Sequence, residues 1–103
     1  MQATNEPKRN TSQFARFPLG QTYLTPGAEE ALLTAGQTGI EFLRRHVSGD
    51  WSGLPSRDAH QNEVSLQKGL RVFSAYQTSQ GQKLWIITEA DRSSTTILLP
   101  SEY

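Results

Sequence analysis

Three runs in the last third of the chain, LRVFSAYQT, KLWIITEA and TTILLP, are rich in β-branched and aromatic residues and are separated only by SQGQ and DRSS. Such runs, cut by short turn-forming stretches, read as β-strands. Connections this short allow only antiparallel neighbours, because a parallel return needs a crossover of about a dozen residues or more. The pattern predicts a three-stranded antiparallel β-meander. A two-residue loop at Gln80-Gly81 would set Ser79 opposite Gln82, Ala75 opposite Ile86 and Phe73 opposite Thr88, with Ile97 and Leu99 on the same face. The other face would carry Val72, Ser74, Tyr76, Trp85, Ile87, Leu98 and Pro100, which is too apolar to be left in water. Both faces need cover, from helices, from the loop around Trp51, or from a second subunit in a homodimer.

The helices must come from the segment before Leu70. Thr25-Pro26 supplies a capping hydroxyl and a first-turn proline, and AEEALLTA then runs to Gly36. Thr38-Gly39-Ile40-Glu41 has capping-box spacing and opens a second helix with Ile40, Leu43 and Val47 on one face. SGDWSGLPS reads as a loop anchored by Trp51 and Leu54. A third helix follows from about Arg57 to Lys68, with Ala59, Asn62, Leu66 and Leu70 turned inward. The expected fold class is α+β, with two to three N-terminal helices packed on the meander.

Residues 1–16, MQATNEPKRNTSQFAR, hold only Phe14 as a large apolar side chain after Met1 and read as a flexible tail, leaving one domain over 17–103. The ten basic and ten acidic residues balance, and without the tail seven basic stand against nine acidic. No field of one sign draws the chain to nucleic acid or to an anionic membrane. With no cysteine there is no disulfide, thiolate metal site or thiol nucleophile. No window is apolar enough to span a bilayer and the first residues lack a signal-peptide core, so a cytoplasmic protein is expected.

Few residues suggest chemistry. His46 and Asp50 flank Ser48-Gly49, while His60 and Glu63 lie three apart on the third helix, without the second histidine that a zinc-protease helix needs. His46 fits a helix C-terminus, where a cation meets the negative end of the helix dipole. No nucleophile elbow, dinucleotide fingerprint or phosphate loop occurs, so no cofactor and no metal is expected. The catalytic candidates are His46, Asp50 and Arg92, the set that a small RNase or other hydrolase would use. Tyr76 and Trp85 beside Lys83 suggest a stacking platform for single-stranded nucleic acid, which the charge balance disfavours. Glu89, Asp91 and Arg92 gather at the second turn as a partner-binding edge, with Arg71 placed to bridge to Glu89 or Asp91 and with Tyr76 and Trp85 as further contact residues.

The order HVSGDW, Asn62, GLRVFSAY, KLWIITEADRSSTTILLP and EY resembles a family of short bacterial proteins of plasmids and other mobile elements, over roughly Phe17 to Tyr103. The family reads GDWG where this chain has Gly49-Asp50-Trp51-Ser52, and LLPEEY where it has Leu98-Leu99-Pro100-Ser101-Glu102-Tyr103. Its members are labelled "plasmid-related protein" or "type I restriction endonuclease subunit M". A methylation subunit needs a cofactor-binding α/β domain, a glycine-rich loop and an Asn-Pro-Pro-aromatic motif, all missing from these 103 residues. The resemblance implies a habitat on mobile elements, and with the small size of the chain the expected function is a non-enzymatic accessory protein of such elements that acts through protein contacts. Its concrete form is an anti-defence protein that blocks a restriction or CRISPR effector.

Overall fold

The computed structural model describes residues 15–103. A short strand, β1 (Gln21–Leu24), leads into three helices, α1 (Pro26–Ala35), α2 (Gly39–Val47) and α3 (Ser56–Lys68). Three strands follow, β2 (Val72–Gln77), β3 (Lys83–Thr88) and β4 (Ser94–Leu98), and then a 3-10 turn over Pro100–Glu102. The class is α+β, and β2, β3 and β4 pair antiparallel in sequence order. The sheet is not a three-stranded meander, however: its order is β1-β4-β3-β2, with β1 parallel to β4 and Gln21 opposite Ser94. QTYL is too short to announce itself as a strand, and its partner lies at the far end of the chain.

The register of the first hairpin also departs from the expected one. Thr78 N–H bonds to the Gln82 carbonyl at 2.8 Å and Gly81 N–H to the Thr78 carbonyl at 2.9 Å, so the loop is Ser79-Gln80-Gly81. Gly81 has φ 85°, the left-handed conformation that closes a three-residue hairpin loop at little steric cost for glycine. The odd residue shifts β2 by one place against β3, and a one-place shift turns every side chain to the other face. Phe73 therefore pairs with Ile87, Ser74 with Ile86 and Tyr76 with Leu84.

One face of the sheet now carries Val72, Ser74, Tyr76, Leu84, Ile86, Thr88, Thr95 and Ile97, all buried. Ala28, Ala31 and Leu32 of α1 and Phe42 of α2 pack against its aliphatic centre. Burying each of Leu84, Ile86 and Ile97 contributes about 1.5–3 kcal/mol relative to exposure. A second cluster, Phe17, Trp51 and Val72 with Leu54, Ala59 and Leu66, fills the side next to α3. Of the positions expected to turn inward on α3, Asn62 is buried while Leu70 is exposed.

Helix α2 buries Phe42 and His46, not the expected Ile40, which is 60% exposed. The expected capping box does not form either. Thr38 makes no side-chain cap, and Glu41 accepts from Gln37 Nε2 at 2.8 Å. At α1, Thr25 Oγ1 accepts from Ala28 N–H, as the sequence predicts. Glu102 strengthens that end, taking Gly27 N–H at 2.9 Å, Leu99 N–H at 2.8 Å and the Thr25 hydroxyl. A carboxylate there meets the positive end of the helix dipole.

The expected tail falls outside the described residues, apart from Ala15 and Arg16. Arg16 is held by a bidentate ion pair to Glu63, both bonds 2.9 Å, and by Val47, whose carbonyl accepts its backbone N–H at 2.8 Å.

Candidate functional site: the helix-free face of the sheet

The register that buries Tyr76 turns Phe73, Ala75, Trp85, Ile87, Thr96 and Leu98 to the face opposite the helices, where Ile87 and Leu98 are buried and the others half-buried. Phe73 meets Trp85 edge-on, with centroids 5.2 Å apart, and Trp85 meets Tyr103 at 5.8 Å and 71°. Edge-to-face stacking at these distances is favourable because the positive ring edge meets the negative face. Arg71 fixes the outer ring, donating from Nη1 to the Tyr103 hydroxyl at 3.2 Å, while its Nε lies 3.5 Å from Glu89 Oε1. Arg71, Phe73, Trp85, Ile87 and Tyr103 enclose a groove of about 280 Å³. A wider hollow of about 470 Å³ adjoins it, lined by Trp85, Tyr76, Lys83, Arg45 and Gly53 among others. Trp85 lies between the two. The result is an aromatic and aliphatic centre with charged groups at its rim, the composition of a protein contact surface.

The catalytic candidates do not share an opening. His46 is fully buried, with Nδ1 2.5 Å from Ser74 Oγ and Nε2 2.8 Å from Thr88 Oγ1. Thr88 Oγ1 lies 2.7 Å from Thr95 Oγ1, and Thr95 donates to the Leu19 carbonyl at 2.7 Å. The Leu19 carbonyl can only accept, which orients the whole chain. Thr95 gives its proton to Leu19, Thr88 to Thr95, His46 Nε2–H to Thr88, and the Ser74 hydroxyl to Nδ1. Burial pushes the His46 pKa down to about 3, so the ring is a neutral imidazole with both nitrogens occupied. Phe17 packs edge-on against its ring at 5.2 Å.

Asp50 lies in the loop after α2. Burial raises its pKa, but the bonds from Arg45 at 2.7 Å and from Ser52 outweigh this and leave the carboxyl below its ordinary value. Arg92 closes its own turn. It stands at φ 62° and donates to the carbonyls of Leu70, Glu89, Ala90 and Ser65 at 2.7–3.2 Å, which ties the end of α3 to the β3–β4 turn. Among the described residues no hydrogen bond or ion pair joins any two of His46, Asp50 and Arg92. His60 is exposed on α3, and no described group of three or more metal-ligating side chains converges.

Of the partner-binding candidates, Trp85 sits at the centre of the open face and Glu89 at its rim. Asp91 is exposed and accepts from Ser93 N–H at 2.9 Å. Tyr76 is 5% exposed, donates to the Asp50 carbonyl at 2.7 Å and lies under Arg45 at 4.3 Å, with its pKa pushed up to about 12 by burial. Tyr76 and Trp85 therefore point to opposite faces and do not form one flat stacking platform, although both border the wider hollow with Lys83. Ile87 shares the face of Trp85 and Arg71 reaches Glu89, both as expected, whereas Phe73 was hidden by the one-place register difference and Tyr103 comes from beyond the strands. The signal for that difference was the glycine of Ser79-Gln80-Gly81, placed third in the loop.

No described helix is long and apolar enough to cross a membrane. No family model, curated protein or solved structure matches the chain.

Proposed function

We propose that the protein is a non-enzymatic interaction protein of mobile genetic elements, and that its partner docks on the helix-free sheet face around Trp85. The observation that supports this is the stack of half-buried Phe73 and Trp85 with exposed Tyr103, beside buried Ile87 and with Arg71 and Glu89 at the edge. Rigid aromatics in a shallow apolar groove are the groups that carry most of the energy in protein interfaces. The resemblance to plasmid-borne proteins makes a host restriction or CRISPR effector the partner, with the protein acting as an anti-defence factor. The near balance of charge sets this apart from mimicry of DNA, which needs a strongly acidic surface.

Phage plating on restricting and CRISPR-armed hosts tests the proposal. Expression of the wild-type chain raises plating efficiency on one of these hosts, and Trp85→Asp, folded by circular dichroism, removes the protection. Equal plating with and without the protein on every such host contradicts the anti-defence role.

A further inference from the structure

The two edges of the sheet are finished differently. On the β2 edge, Asn62 of α3 stands in for a neighbouring strand: its Nδ2 donates to the Phe73 carbonyl at 2.7 Å and its Oδ1 accepts Phe73 N–H at 3.1 Å. The loop before α3 presses on the same edge, since a Cβ at Gly53 would stand 2.5 Å from the Ala75 carbonyl oxygen. Edges covered in this way cannot recruit another chain.

The β1 edge has no such cover among the described residues. Gln21 N–H bonds to the Ser93 carbonyl and Thr25 N–H to the Ile97 carbonyl, so alternate residues face β4. The backbone groups of Thr22 and Leu24 point outward, and no described residue pairs with them. All four residues of the strand are exposed, and none is charged or proline. Beside this edge runs a groove of about 330 Å³, lined by Leu24, Gly39, Ile40, Leu43 and Ile97 among others. Three of the six exposed large apolar residues among the described ones, Tyr23, Leu24 and Ile40, border it, Tyr23 from the strand whose side chain turns to the other face. An open ladder and a cluster of exposed apolar groups thus coincide at one place.

We infer that β1 pairs antiparallel with β1 of a second copy of this chain, forming a two-fold dimer with one continuous sheet. An uncharged edge takes an uncharged extended segment, and QTYL, with no acidic or basic residue and no proline, is itself one. The outward groups dictate the register. Thr22 exchanges both backbone hydrogen bonds with Leu24 of the partner copy, and Tyr23 crosses its own symmetry mate at the two-fold axis as a non-hydrogen-bonded pair. No like charges meet. Thr22 and Leu24 lie on the helix-covered side with Thr95 and Ile97, so the incoming threonine enters the groove beside Leu24 and Ile40. Tyr23 lies on the open face, and the dimer joins two such faces into one. This inference stands apart from the identity of the partner that Trp85 contacts.

Sedimentation of the full chain gives the first reading: a dimer mass whose dissociation constant rises at least about tenfold in Thr22→Pro, which removes an outward donor from each copy but no bond to β4. The chain has no cysteine, so Tyr23→Cys introduces a single thiol. Oxidation crosslinks it into a dimer, whereas Leu24→Cys, which faces Thr22 of the other copy, crosslinks poorly. A wild-type chain that stays monomeric overturns the inference. So does a dimer indifferent to Thr22→Pro, or a monomer whose Thr22 and Leu24 amides resist hydrogen exchange because residues 1–14 occupy the edge.

Discussion

His46 Nδ1 lies 2.5 Å from Ser74 Oγ inside the core, and the hydrogen bond runs from the serine to the histidine. The rest of the chain, through Thr88 and Thr95 to the Leu19 carbonyl, puts the ring proton on Nε2, and in the neutral ring that burial favours Nδ1 can only accept. An imidazolium could not accept the serine proton, so protonation must reverse this bond and also place a charge in the core, where burial opposes it.

Acid should therefore weaken the fold through His46. Its pKa falls from the ordinary 6.5 to about 3 on folding, so between these values the unfolded chain binds more protons. This stability is fully present above pH 6.5 and is lost as pH falls, at about 1.4 kcal/mol per pH unit. Between pH 6.5 and 5, where ordinary carboxylates stay ionised, the expected loss is about 2 kcal/mol. Urea melts across that range check the slope, which should flatten in His46→Gln. Nitrogen NMR should find one imidazole still neutral at pH 5, with its proton on Nε2.

Asn62 should matter for the β2 edge more than its polarity suggests. Replacing it with leucine leaves Phe73 N–H and C=O without partners, at a cost of about 2–3 kcal/mol. Asn62→Asp should not rescue it, because a carboxylate oxygen would face the Phe73 carbonyl oxygen where Nδ2 now donates. Chemical denaturation gives the energy, and faster exchange of the Phe73 amide places the change.

Arg92 presents opposing effects. Its left-handed backbone costs about 1–2 kcal/mol, which glycine would recover. Its guanidinium reaches four carbonyls, each such charged hydrogen bond contributing about 1.5–3 kcal/mol when buried and less in this partly exposed setting. The side chain should win, so Arg92→Gly should melt below the wild type by at least about 4 °C. A variant that melts at or above the wild-type temperature would show that the turn holds without the guanidinium.

Glu102 links the end of the described fold to the start of α1. The Thr25 hydroxyl, with Leu99 and Gly27 N–H groups, holds its carboxyl below the ordinary range, although burial opposes this. Glu102→Ala should lower the melting temperature and loosen the Gly27 amide to exchange, and Glu102→Gln should fall between the two. The stabilisation is present above the ordinary glutamate range and fades as pH drops through the lowered pKa.

Much of this fold was legible where interactions are local. Alternation marked β2, β3 and β4, and Thr25-Pro26 marked the start of α1, because strand pattern and capping act within a few residues. What escaped depends on distant partners. β1 exists through β4, and nothing within QTYL reveals that pairing. The inward turn of His46 escaped for the same reason, since its hydroxyl partners lie on three different strands' worth of distant sequence: Ser74, Thr88 and, through Thr88, Thr95. The open face was misassigned for a local reason, the three-residue loop closed by Gly81, and with it Phe73 and Tyr76 exchanged sides.

The central claim is that protein contact runs through the helix-free face, and site-specific photocrosslinking in cells tests it most directly. A photoreactive phenylalanine at position 85 should give one discrete heavier product containing a restriction or CRISPR component, while the same probe at Leu33, 74% exposed on α1, should not. The product should vanish when excess unlabelled wild-type chain is present. Equal crosslinking from both positions, or none from position 85 in a host where the protein protects phage, would contradict the account.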